Sequence, residues 1–156
     1  MSAPRIDRAS RVVAASPAQV WGAMSSPDAL AEWLPPAGMT GRFEHFDLRP
    51  GGSYRLVLTH ADPAQRGKSS GGSDVVEVRF VDVAPCERIV QAVDFESDDP
   101  AFARTMTMTW SITTEGDDGS STRVDIVAED VPPGISAEDH AEGMASSLEN
   151  LARFLR

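Results

Sequence analysis

Between Phe102 and Thr114 the chain alternates, most regularly from Thr105 to Ile112. Phe102, Met106, Met108, Trp110 and Ile112 fall in one phase, and Thr105, Thr107, Thr109 and Ser111 in the other. A period of two places successive side chains on opposite faces of a pleated ribbon, so this run predicts a strand with one apolar and one hydroxylated face. Weaker runs of the same kind predict strands over residues 5–15, 40–48, 53–60, 74–83, 88–95 and 122–129. The punctuation between them is explicit: Pro50-Gly51-Gly52, the Gly/Ser-rich stretch 67–73, Ala84-Pro85, Asp98-Asp99-Pro100 and Asp117-Asp118-Gly119. These residues supply turn geometry or break the ladder, as hairpin connections require.

Two places change period. At Ser16-Pro17-Ala18-Gln19 a capping serine precedes a proline that fits the first helical position, and Gln19 stands where the reciprocal partner of a capping box belongs. The helix so begun carries Val20, Trp21 and Met24. Ser26-Pro27-Asp28 starts a second short helix that ends near Trp33, because Pro35-Pro36 forbids continuation. After Pro132-Pro133-Gly134, Ser136 caps the longest helix, with Glu138 and Asp139 in a first turn where acids complement the dipole. His140, Met144, Ser147/Leu148, Leu151 and Phe154/Leu155 recur at spacings of three and four and predict its buried stripe. Strand, two short helices, six strands and a long helix read as one α+β domain over residues 1–156. It has a single seven-stranded antiparallel sheet packed on one major helix. Stretch 63–73, rich in Gly and Ser and poor in apolar groups, is expected to be a mobile hairpin connection.

Composition narrows the functions open to such a domain. Of the 156 residues 41% are hydrophobic and 24% charged, ordinary values for a chain that buries its own core. Net charge is −10, Lys68 is the only lysine and the arginines are scattered. Nucleic acids and anionic membranes attract proteins through clustered cations, so neither is an expected partner. Cys86 is the single cysteine, which rules out an intrachain disulfide and fits a reducing, cytoplasmic setting. No apolar run is long enough to cross a bilayer, and the N-terminal residues lack the apolar core of a signal peptide. There is no nucleophile elbow, phosphate-binding loop or zinc-protease helix, so no catalytic residue is assigned. His45, His60 and His140 lack metal-ligand spacing, and neither a metal nor another cofactor is expected.

The order of elements and several local motifs resemble the START-like (SRPBCC) superfamily. More narrowly, the chain is similar to the bacterial domain related to the C-terminal part of the heat-shock-protein-90 ATPase activator. The residues that carry the resemblance are Ser16-Pro17-Ala18-Gln19-Val20-Trp21, residues 27–33, and Phe46-Asp47-Leu48-Arg49-Pro50-Gly51-Gly52-Ser53-Tyr54. To these are added Val83-Ala84-Pro85-Cys86-Glu87-Arg88-Ile89-Val90, the run Met106, Met108 and Trp110, and His140-Ala141-Glu142-Gly143-Met144 ahead of Leu148, Leu151 and Leu155. The resemblance implies a helix-grip fold, in which a curved sheet wraps around the long C-terminal helix and an elongated cavity lies between them. In that family an apolar or amphipathic small molecule often occupies the cavity. One position departs from the pattern: Gly143-Met144 stands where the family usually carries Gly-Trp, which removes a bulky ring from the cavity side of the helix.

Tracing strand faces from the Pro50-Gly51-Gly52 turn puts Phe43, His45 and Asp47 on the same side as Tyr54, Leu56 and Leu58. His45 and Asp47 would then be polar islands on an apolar wall, as small-molecule sites have. A ligand-binding set follows: Trp33, His45, Asp47, Tyr54, Leu56, Met108, Trp110, His140 and Met144. The expected partner is a small apolar or amphipathic molecule. A chaperone partner or a homodimer is left open, as is a cyclase- or hydratase-type enzyme with His45, Asp47, Tyr54 or His140 as acid and base. Only four residues precede the first strand, so the separate N-terminal domain of the eukaryotic activator is not expected here.

Overall fold

The computed structural model describes residues 5–35, 38–60, 73–95, 98–102 and 104–155, with Ser73 described by its backbone alone. The strands are β1 (Ile6–Val13), β2 (Met39–Phe46), β3 (Ser53–His60), β4 (Ser73–Ala84), β5 (Arg88–Phe95), β6 (Met106–Glu115) and β7 (Ser121–Glu129). They form one antiparallel sheet in the order β1-β7-β6-β5-β4-β3-β2. Consecutive strands from β2 to β7 are neighbours, a meander. The helices α1 (Pro17–Met24) and α2 (Pro27–Trp33) carry the chain from β1 at one edge to β2 at the other. The curled sheet then half encloses α3 (Ala137–Phe154), giving the α+β helix-grip architecture.

The helix starts are built as the sequence reads. The Ser16 hydroxyl accepts from the Gln19 N–H at 3.3 Å, and the Gln19 carboxamide accepts from the Ser16 N–H at 2.8 Å. Ser26 and Ser136 cap α2 and α3 through Ala29 N–H and Asp139 N–H. The turn between β2 and β3 is closed by Gly52 N–H donating to Arg49 C=O at 2.8 Å. Pro50 occupies its second position and Gly51, at φ +83°, its third, where a side chain would be strained. Turn and sheet are joined by Gly51 N–H to Phe80 C=O and Phe80 N–H to Gly52 C=O, both 2.9 Å.

Two details differ from the sequence reading. Phe102 lies not in β6 but in a short 3-10 turn, Pro100–Phe102, packed beneath Gly134. Phe154 is 38% exposed, so the buried stripe of α3 runs through Met144, Ser147, Leu148 and Leu151 and finishes on Leu155. The connection expected to be mobile lies outside the described residues, apart from Ser73, which begins β4.

Candidate functional site

Cross-strand register gathers one apolar face from five strands. Tyr54 pairs with Val78 and Leu56 with Val76. Val78 pairs with Val93 and Val76 with Phe95. Gln91 faces Met108, Val93 faces Met106, and Trp110 faces Ile126. Directly opposed residues share a face of the sheet, so this set forms one continuous inner wall. Against it α3 is seated closely on β1 and α2 rather than on the central strands. The helix therefore stands off from the middle of the sheet, and the space left is a cavity of about 320 Å³. Leu56, Leu58, Val76, Val93, Met106, Met108 and Trp110 line it from the sheet, and Gly143, Met144 and Ser147 from the helix.

Few polar groups interrupt this lining. On the wall, Tyr54 hydrogen-bonds the Gln91 side chain. Complete burial pushes its phenol far above the ordinary tyrosine range, against the smaller opposite effect of that bond, so Tyr54 stays protonated. Ser147 is satisfied by donating to Leu34 C=O at 2.7 Å. At the N-terminal turn of α3 stand Asp139 and His140. His140 Nδ1 lies 2.7 Å from Asp7 Oδ2, and the two side chains are only 12% and 10% exposed. Arg5 grips the same carboxylate with Nη2 at 2.9 Å and Nε at 3.2 Å. Burial would raise the Asp7 pKa, but the hydrogen bonds from His140 and Arg5, with their charges, outweigh it and hold the group below its usual range. An ionised carboxylate can only accept, so Nδ1 of His140 carries the proton.

Six of the residues singled out in the sequence come together on this cavity: Tyr54, Leu56, Met108, Trp110, His140 and Met144. Trp33 is displaced from it. It is 1% exposed, donates Nε1–H to Ala23 C=O at 2.9 Å, and meets Trp110 edge-on at 5.8 Å. It borders instead a smaller void of about 30 Å³ that shares Leu34, Tyr54, Gln91 and Trp110 with the main cavity.

The placement of His45 and Asp47 is corrected. A bulge in β2 shifts the register between Phe43, opposite Leu56, and His45, opposite Arg55. Glu44 and His45 both face outward, and Phe46 takes the place opposite Tyr54. Phe43 and Phe46 then pack on Tyr54 at ring distances of 5.1 and 5.7 Å. His45 bonds Glu77 at 3.2 Å within an exposed charge ladder and borders an open groove beside α2. Asp47 is exposed and pairs with Arg49 at 2.7 Å. Four polar residues at or beside the cavity were not assigned to it from the sequence: Gln91, Ser147, Asp139 and Asp7. Gln91 had a signal, since it interrupts the in-phase series Ile89, Val93 and Phe95 on a buried face.

Among the described residues there is no cluster of three or more His, Cys, Asp or Glu side chains fit to hold a metal. Nor is any helix among them long and apolar enough to cross a membrane.

A curled antiparallel sheet gripping a C-terminal helix, with two short helices after the first strand, defines a START-like helix-grip domain. The chain belongs to the family described as activator of Hsp90 ATPase homolog 1-like protein, whose profile matches residues 14–156. Its fold is similar to the X-ray structure of a protein from Chromobacterium violaceum, at 29% identity and a TM-score of 0.82, with 96% of each chain covered. A solution structure from Arthrobacter aurescens is similar at 17% identity and a TM-score of 0.75, covering 96% of this chain and 85% of that one. A crystal structure from Mycobacterium smegmatis follows at 19% identity and 0.73, covering 99% and 96%. No curated protein matches the sequence.

Proposed function

We propose that this protein binds a small apolar or amphipathic molecule in the cavity between the sheet and α3. The observation that carries the reading is the stand-off of α3 from the central strands, which leaves about 320 Å³ walled by apolar side chains. A solid core would have closed this space, because protein interiors pack to crystal-like density. Volume, apolar lining and a few fixed polar groups are the attributes of small-molecule sites. The methionines at 106, 108 and 144 add contacts that adapt to the shape of a guest.

Burial of about 300 Å² of guest at ~25 cal/mol/Å² contributes about 7.5 kcal/mol, from which association costs are subtracted. Dissociation constants on the order of 10 μM follow for an uncharged fluorescent probe such as N-phenyl-1-naphthylamine. Met144→Trp restores a large ring where the lining is open and should weaken probe binding at least about tenfold, with stability kept within about 1.5 kcal/mol. No binding to the wild type, or equal binding to both proteins, would overturn the reading.

Membership in the Hsp90-activator family favours a second reading, a cochaperone-like interaction module. It is separable by the same variant. Met144 is 5% exposed and out of reach of a protein partner, so Met144→Trp should leave capture of an Hsp90 homologue unchanged.

A further inference from the structure

We propose that His140 anchors the polar end of the guest and that the end it selects is an uncharged hydroxyl, as on a phenol or an aromatic alcohol. The inference rests on the binding reading above and names the chemistry of the molecule that would fill the cavity.

Three observations carry it. His140 lines the cavity, and its ring is held from behind by the Asp7 carboxylate, itself clamped by Arg5. A histidine whose Nδ1–H is donated to a carboxylate has its orientation and tautomer fixed, as in the ligand shells of metal sites. In its neutral form the ring offers the lone pair of Nε2 as an acceptor, and an O–H is what such an acceptor takes. Second, the other polar groups on the inner wall are engaged, Ser147 with Leu34 and Tyr54 with Gln91, while Asp139 is exposed. Third, among the described residues no lysine or arginine lines the cavity, whereas Asp139 does and Asp7 stands behind the ring. A carboxylate head group would lose its hydration and meet, among the described lining residues, no lysine or arginine but the Asp139 carboxylate, which is costly in an apolar space. A hydroxyl carries no such penalty and gains an acceptor. Asp7 acts as a positioning residue here, working only through the imidazole.

The test is calorimetric titration with naphthalene, 2-naphthol, 2-naphthoate and 2-naphthylmethylamine, which share one apolar body. It is run near about pH 8, above the ordinary titration range of an imidazole. The expected order is 2-naphthol about fivefold tighter than naphthalene, as one net hydrogen bond gives, with 2-naphthoate weaker than both. His140→Phe should keep naphthalene binding and abolish the naphthol advantage. Should that variant fail to fold, nitrogen-15 spectra of the wild-type imidazole supply the second readout. Nδ1 should be protonated and Nε2 not, with the Nε2 resonance moved by 2-naphthol and left in place by naphthalene. Asp7→Asn should redistribute the proton between the two nitrogens. If naphthalene binds but 2-naphthol is not preferred, if the preference survives His140→Phe, or if the naphthoate or the amine binds tightest, the assignment is wrong while the binding reading stands. An unprotonated Nδ1, or an Nε2 resonance that 2-naphthol leaves in place, equally overturns the assignment. If none of the four binds, both fall.

Discussion

The Asp7 carboxylate ties β1 to Arg5 and to the first turn of α3. It belongs to an edge strand and receives bonds from Arg5 two residues away and from His140, which lines the cavity from α3. Its pKa lies below 3.8, the value for an unperturbed carboxyl, because the bonds to the ionised form outweigh burial. A group with a depressed folded-state pKa stabilises the protein fully above its unfolded value, and that contribution is lost as pH falls through the folded value. Asp7→Asn should therefore be less stable than the wild type at neutral pH, and the gap should close as pH drops from about 4 toward 2. Urea midpoints measured across that range check this. A gap that stayed constant, or widened toward acid, would mean that the bonds do not depend on the charge.

At the scale of the element, α3 matters most, because its first turn places His140 and its second face lines the cavity. Ser136 caps it by accepting Asp139 N–H at 3.0 Å. Ser136→Ala should cost about 1 kcal/mol in denaturant unfolding, and Ser136→Gly only a few tenths. Equal losses for the two would mean that the Ser136 hydroxyl does not cap the helix. Caps of this kind were legible in the sequence because they depend on local spacing alone, and Ser16 and Ser136 perform as read. Strand faces were less so. In β2, Phe43 and Phe46 lie three apart, which a regular strand cannot put on one face, and the bulge between them sent His45 outward. In β1, Ile6 and Val12 look like the inward phase but are 49% and 50% exposed. The inward phase is instead Asp7, Ala9 and Val13, with Asp7 opposite buried Ala128. An aspartate there makes sense only once α3 brings His140 to it, a contact across 133 residues that no local pattern encodes.

At the scale of the molecule, the order of elements was readable throughout, because alternation and punctuation recur in each hairpin. What the pattern cannot give is the distance between layers. A buried stripe on a helix and an apolar sheet face are the same signal whether they touch or stand apart. Here they stand apart over the central strands, and the proposed guest would fill that gap. The six methionines make that directly observable. With methyl-carbon labelling, titration of 2-naphthol should produce saturable shifts at Met106, Met108 and Met144, which line the cavity, and none at Met39 on the edge strand. Shifts confined to Met39, or no saturable shift at the three cavity methyls, would contradict it.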